Sequence, residues 1–270
     1  MAINDITLAG GMRDNLVQLQ LTSALQARTT QRLATGKKVN SAVDDPAAFF
    51  SAENNRGRAG DLSARKDELS EAIQTVQAAL QGVDGITKLI EQAKGLAASA
   101  RTASTADRAT LATQFGDLMT QIDQLATDAS YKGTDFLDSD DLVVNFNEDG
   151  SSSLTITGFD ASSTGLGIAA AANNWAGDAD IDAAVTDLDA GLATLRTNSK
   201  ALSSNNGVVT TRQQFLTDMI NTLTTGADNL TAADPNEEGA NLLALQTRQQ
   251  LGIVALQMSS QSQQSILRLF

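Results

Sequence analysis

The sequence has no cysteine and no histidine, only two prolines, and one tryptophan and one tyrosine within an aromatic content of 4%. Without histidine there is no imidazole to shuttle protons near neutral pH, and without either residue there is no His/Cys zinc site, thiol nucleophile or disulfide. Scarce proline leaves long helices uninterrupted. Scarce aromatics mean that a core must be built from Leu, Ile, Val and Ala, for which 41% hydrophobic content over 270 residues is sufficient. No apolar run approaches the roughly 18 residues of a membrane span. The start, Met1-Ala2-Ile3-Asn4-Asp5, has neither the basic nor the apolar region of a Sec signal peptide, so neither a signal peptide nor a membrane anchor is expected.

Charge is unevenly placed within the net −13. Residues 1–66 carry nine Lys/Arg against six Asp/Glu, residues 67–240 eight against 26, and residues 241–270 only Arg248 and Arg268, with no acid. An acidic middle between mildly basic ends argues against nucleic-acid binding and for a strongly solvated surface there.

What is abundant is a stepping of four and three. Leu69, Ile73, Val76, Leu80, Val83, Thr87, Ile90, Lys94 and Ala97 keep it, as a helix with a coiled-coil seam requires. So do Leu111, Phe115, Leu118, Ile122, Leu125 and Ala129. The longest run goes from Ile181 and Val185 through Leu188, Leu192, Leu195, Ser199, Leu202, Asn206, Val209, Gln213, Leu216 and Ile220 to Leu223, Ala227 and Leu230. At 1.5 Å per residue that helix is about 75 Å long. The expectation is a mainly α protein: a long, coiled-coil-like helical bundle whose function depends on its length. Leu142-Val-Val-Asn-Phe146 and Leu154-Thr-Ile-Thr157 flank a turn-rich Asn147-Glu-Asp-Gly150 and predict one β-hairpin. The Ser, Ala, Gly and Asn-rich stretch 161–180 reads as a connector, with one more short strand near Leu166-Gly-Ile168.

The ends are more diluted. Met12, Leu16, Leu19 and Leu33 share a stripe with Ser23, Gln26 and Thr30, while Leu242, Leu245, Ile253, Leu256 and Leu267 share one with Gln249, Ser260 and Gln263. Neither stripe buries well alone, so both ends are expected to order only by packing on each other and on neighbouring copies.

Candidate chemistry reduces to local structure. Asn145-Phe-Asn-Glu-Asp-Gly150 has oxygen side chains at the first, third and fifth positions of a calcium loop, but Ile156 stands where the bidentate acid is needed, so a hairpin turn is the reading. Gly36-Lys-Lys38 and Gly165-Leu-Gly167 lack the surroundings of nucleotide sites. Asp44-Asp-Pro46 reads as a helix start, with Asp45 capping and Pro46 in the first helical position. Asp138-Ser-Asp-Asp141 reads most simply as a solvated loop, with weak divalent-cation binding as the alternative. No catalytic constellation, cofactor site or metal site is found, and the expectation is a protein that is not an enzyme.

Two strings are more specific than any period. Leu33-Ala-Thr-Gly-Lys-Lys-Val-Asn-Ser-Ala-Val-Asp-Asp45 resembles the N-terminal signature of bacterial flagellins, commonly Leu-Ser-Ser/Thr-Gly-x-x-Ile-Asn-Ser-Ala-x-Asp-Asp. Leu245-Gln-Thr-Arg-Gln-Gln-Leu-Gly-Ile-Val-Ala-Leu256 with Gln264-Ser-Ile-Leu-Arg-Leu-Phe270 resembles the flagellin C-terminus, in the variant common among alphaproteobacteria. Phe136 falls where the family begins its hairpin.

The resemblance implies a structural subunit that polymerises with itself into the flagellar filament for swimming, outside the cell, with no cofactor and no nucleic-acid or membrane partner. It implies that residues 1–40 and 231–270 pair as the inner filament core lining a central channel. Residues 41–230 then form the outer helical bundle, with the hairpin at about 137–170. The inner packing residues would be Met12, Leu16, Leu19, Leu33, Leu242, Leu245, Ile253, Leu256 and Leu267. The bundle core would hold Leu69, Ile73, Val76, Leu80, Phe115, Leu118, Ile122, Leu188, Leu192, Leu195, Leu216 and Ile220. Implied partners are the flagellar type III export apparatus, a secretion chaperone, the filament cap and the hook-associated junction proteins. A junction protein with the same terminal architecture is the nearest alternative, and a coiled-coil chaperone or stalk the next.

The chain departs from the family pattern at two places. Pro46-Ala-Ala-Phe-Phe50 puts bulk where Ala-Ala-Gly-Leu-Ala is usual. Ile90-Glu-Gln-Ala-Lys-Gly-Leu96 stands where members sensed by the vertebrate innate receptor resemble Leu-Gln-Arg-Val-Arg-Glu-Leu, so that Gln92 replaces the central arginine and Gly95 the acid after Lys94. Weak or absent receptor activation is expected, because a bidentate, permanently charged donor is lost.

Overall fold

The computed structural model describes residues 10–267. In chain order it contains α1 (Gly10–Thr35), α2 (Pro46–Ala100), α3 (Thr105–Asp128), β1 (Leu142–Asn145), β2 (Ser153–Ile156), a 3-10 turn (Ala172–Trp175), α4 (Asp178–Thr231) and α5 (Pro235–Leu267). The architecture is mainly helical with a small two-stranded antiparallel sheet. Both prolines open helices. The Asp45 carboxylate accepts from Ala48 N at 3.0 Å as α2 begins, and Asp234 accepts from Asn236 N at 2.8 Å as α5 begins. In each case an aspartate satisfies a free amide of the first turn and proline supplies the pre-set φ.

The chain divides into two compact units, Met1–Gly57 with Thr222–Phe270, and Arg58–Asn221. In the second unit α2 and α4 run antiparallel. Gln213 Nε2 donates to Ser70 Oγ at 2.7 Å, Lys94 pairs with Asp189 at 2.5 Å, and Arg101 pairs with Asp182. The residue numbers of each pair add to the same total, so the register holds over their length.

On α4 one buried line is strictly heptad, Ile181, Leu188, Leu195, Leu202, Val209 and Leu216, with Ala184, Leu192 and Ala227 buried beside it. On α2, Leu69, Val76, Val83, Ile90 and Ala97 are buried, while Ile73, Leu80, Thr87 and Lys94 are half-buried. A second buried line, Ala72, Ala79, Ile86, Ala93 and Ala100, takes the place of a full second seam at those positions. The cause is a second neighbour. Near Gly82 and Gly85 the α3 end packs so closely that a Cβ on Gly82 would lie 2.8 Å from Ala129 Cβ and one on Gly85 would lie 2.7 Å from Leu125 Cδ2. Small residues on this line let the helices approach. On α3 itself, Ala112, Phe115, Met119, Ile122 and Ala126 are buried, and Leu111, Leu118 and Leu125 are half-buried.

The hairpin pairs Leu142 with Ile156 and Asn145 with Ser153. Its connection uses its own oxygens: Asn147 Oδ1 accepts from Ser152 N at 3.1 Å, Asp149 Oδ1 from Ser151 N at 3.1 Å, and Gly150 sits at φ +71°. The half-calcium motif is therefore turn chemistry. Arg58 Nε reaches Glu148 at 2.6 Å and the Arg212 guanidinium lies 5.0 Å from the Phe146 ring centre, so α2 and α4 each hold the hairpin by an arginine.

Phe136 is fully buried, and its carbonyl accepts from Phe159 N at 2.7 Å. The acidic loop is tied down rather than merely solvated: Asp140 accepts from Asp135 N at 2.9 Å, and Asp141 from Gly158 N at 3.1 Å.

The expected strand at Leu166–Ile168 is absent among the described residues. Leu166 N donates to Ser162 O at 2.9 Å and Ile168 N to Ser163 O at 2.8 Å, with Gly167 at φ +72°, so the segment is a turn. Its two apolar side chains fall on Gly191 of α4, where a Cβ would stand 3.2 Å from Ile168 Cδ1. Next along the chain, Asn173, Asn174 and Trp175 all have positive φ, and Trp175 is fully buried with its ring 5.0 Å from Phe115.

Candidate functional site

In the first unit the two chain ends meet. α1 and α5 pack as an antiparallel pair: Arg32 Nη1 donates to Glu238 Oε1 at 2.8 Å near one end, and Gly252 comes so near that a Cβ there would lie 3.1 Å from Leu19 Cγ further along. Gly36, at φ +67°, ends α1 in the left-handed conformation that glycine adopts freely. The strands of chain that follow are then tied together, because Lys38 N donates to Thr231 O at 2.7 Å and Ala233 N to Gly36 O at 2.9 Å. Thr231 is buried, and its carbonyl serves this junction.

Asp44 organises the loop before α2. It accepts from Asn40 N, Ser41 N and Ser41 Oγ, and pairs with Arg28 at 3.0 Å. The Asn40 amide is the foremost of the groups that hold its carboxyl below the usual carboxylate range. The bulk of Phe49-Phe50 does not enter the interior of this unit: Phe50 is 59% exposed, Phe49 is half-buried, and the rings meet edge-on at 5.6 Å.

Of the expected inner packing residues, Leu245 is buried, Met12, Leu19, Leu33, Leu242 and Leu256 are half-buried, and Leu16 and Ile253 are exposed. The side chains of Gln263 and Leu267, and residues 268–270, lie outside the described residues. Further large apolar groups that the diluted stripes did not reveal are also exposed, Val17, Leu21 and Leu25 on α1 and Leu243, Leu251, Val254 and Met258 on α5. Several exceed half exposure, with Leu243, Leu251 and Met258 at 66%, 64% and 67%.

The two flanks of the pair differ. One presents Val17, Leu21 and Leu25 at four-residue spacing, followed by Arg28 and Arg32. The other is uncharged, with open depressions of about 610 Å³ beside Ser23, Thr30, Ala34 and Gln249 and about 570 Å³ beside Met12, Leu256, Ser260 and Gln261, so that polar and apolar groups alternate there.

In the second unit Leu69, Val76, Phe115, Ile122, Leu188, Leu192, Leu195 and Leu216 are buried, and Ile73, Leu80, Leu118 and Ile220 half-buried. Along the segment 90–96 Ile90 is fully buried, Gln92 and Gly95 are exposed, Leu96 is half-buried and Lys94 is engaged by Asp189. Arg108, which no sequence motif marks, ties the α2–α3 turn to the start of α4 with its side chain. It donates to Arg101 O at 3.1 Å, to Ala176 O at 3.4 Å and to Asp178 at 2.7 Å. No local pattern signals such a contact.

A helical chain whose ends pair, and which leaves rows of large apolar side chains uncovered, belongs to the class of subunits completed by assembly. Residues 3–141 match the family model described as bacterial flagellin N-terminal helical region. Flagellin FljM of Caulobacter vibrioides is 34% identical over 274 residues, and flagellin FljK of the same organism is 35% identical over 282, each match covering the whole of both chains. The crystal structure of Bacillus cereus flagellin is similar at a TM-score of 0.49 and 16% identity, covering 55% of this chain and 88% of that one.

The chain belongs to the bacterial flagellins. It is a structural, non-enzymatic protein, the filament subunit of the bacterial flagellum, and its place is the extracellular filament. Among the described residues no helix is long and apolar enough to cross a membrane.

Proposed function

We propose that the uncovered apolar rows on α1 and α5 are the polymerisation surface of this flagellin, with residues 1–40 and 231–270 forming the inner core of the filament and residues 41–230 the outer layer. The observation that carries this is the exposure of Val17, Leu21, Leu25, Leu243, Leu251, Val254 and Met258 on a helix pair already packed together. Hiding such groups from water in neighbouring copies supplies association energy at roughly 25 cal/mol per Å² of apolar area. The flank lined by Ser, Thr and Gln suits the wall of a channel, since it offers a passing chain no charge and many neutral hydrogen-bonding groups. Negative-stain microscopy of the intact chain and of one lacking residues 241–270 tests the reading. Filaments from the intact chain alone are expected; filaments from the truncated chain would contradict it.

Family membership supports a set of partners as well: the type III export apparatus and a secretion chaperone before assembly, and the cap and hook-associated junction proteins at the filament ends. Secretion that persists in cells lacking the export apparatus would exclude that route.

A further inference from the structure

Arginines gather on the apolar flank of the α1/α5 pair. A cavity of about 290 Å³ there is lined by Leu25, Arg28 and Arg32 of α1 and by Glu238, Leu245 and Arg248 of α5, among others. Glu238 is the one carboxylate in this lining, and Arg32 Nη1 already holds it at 2.8 Å. Arg28 is paired outward, to Asp44. Arg248 has no ion pair or side-chain hydrogen bond among the described residues, and Arg32 Nε is buried with no acceptor. The cavity thus has more cationic donors than the single chain uses.

Asp14 is the complementary case. It is exposed on α1 and has no hydrogen bond or ion pair among the described residues. It stands five helical turns from Arg32, and so on the same line of α1. It does not meet the cavity of its own chain: the register set by Arg32 with Glu238 and Leu19 with Gly252 places Asp14 opposite about residue 256, roughly 12 Å along α5 from Arg248. Glu237 is less suited, because it sits in the first turn of α5, where the helix N-terminus already favours a negative charge.

We propose that this cavity is a carboxylate socket between subunits, which receives Asp14 of a second copy of the chain. The proposal rests on the polymerisation surface described above and adds a register to it. Contacts among Val17, Leu21, Leu25 and Leu251 are non-directional and tolerate sliding, whereas a carboxylate among arginines is directional. Charge complementarity of this kind selects one alignment among many.

The test is a charge exchange in the full chain: Arg248→Glu, Asp14→Arg, and the two together. Critical concentration for polymerisation is read by sedimentation, with monomer helicity checked by circular dichroism. Because Asp14 and Arg248 do not touch within one chain, compensation in the double variant reports contact between copies. Each single variant is expected to raise the critical concentration about tenfold, and the double variant to return to within about threefold of the parent. Single variants that assemble like the parent, or a double variant no better than the worse single one, overturn the socket while leaving the polymerisation surface standing. A parent chain that forms no filaments overturns the polymerisation surface itself, and the socket with it.

Discussion

Asp135 shows how one buried side chain gives a pH dependence. It is 7% exposed and accepts from Leu137 N at 2.9 Å. Burial pushes its carboxyl above the ordinary 3.8, against the pull of the Leu137 amide and helped by the charges of Asp138 and Asp140. Because the folded value lies above the unfolded one, folding favours the protonated form. Its stabilising contribution is complete below the unfolded value and is lost as pH rises through the folded value. Asp135→Asn keeps an acceptor for Leu137 and removes the charge. Its melting temperature is expected to exceed the parent's at pH 7 and to lose that advantage at pH 3.5; an equal difference at both would contradict the burial argument. Asp44 has the opposite sign, stabilising above its unfolded value and losing that as pH falls through its lowered folded value. At Gln92 the issue is a missing charge on an exposed position, next to a Lys94 already engaged by Asp189. Purified, endotoxin-free protein is expected to stimulate cells bearing the innate receptor only weakly, and Gln92→Arg with Gly95→Glu to raise the response.

At the scale of elements, glycines separate helix propensity from packing. Gly207 lies within α4 with nothing within 4 Å of an added Cβ, so Gly207→Ala is expected to stabilise the monomer by about 0.5–1 kcal/mol. Gly82 has the same intrinsic preference but meets Ala129 Cβ at 2.8 Å and Leu137 Cδ1 at 2.6 Å. There the same substitution is expected to destabilise by about 1–3 kcal/mol, because a fixed Cβ must push helix α3 away. Denaturant melts of the two variants check the pair of signs. Polar groups also divide the seam. Gln213 donates to Ser70 across α2 and α4, and a slipped register breaks that bond.

For the molecule as a whole, what matters is how differently its two units are buried. Arg58–Asn221 encloses Trp175, Phe115, Ile86, Ile90 and Leu188 completely, whereas the paired ends keep much of their apolar surface in water. Helices that bury so little apolar surface open readily. Amide exchange in the dilute monomer is therefore expected to be fast over residues 12–30 and 243–260, slow over the second unit, and slow throughout in filaments. Equal protection of both units in the monomer would contradict this.

Much of this was legible along the chain because its causes are local. Heptad spacing from Ile181 to Leu216, the Asp45-Pro46 cap and the turn at Asn147–Gly150 each depend on residues a few positions apart, so the sequence by itself determined helices, a hairpin and their approximate limits. It could not determine which stripe of a helix is buried, since that depends on what packs there. Alanine carries little hydrophobic signal, so the buried line through Ala72, Ala79 and Ala93 shows only once other segments pack there, Tyr131 to Val144 beside Ala72 and α3 beside Gly85, and the side chains of Leu166 and Ile168 find their place only against Gly191. Nor could it join Arg32 to Glu238, 206 positions apart, or collect Arg28, Arg32 and Arg248 around one cavity. Those juxtapositions come from long-range packing of the chain ends, which only the tertiary structure decided.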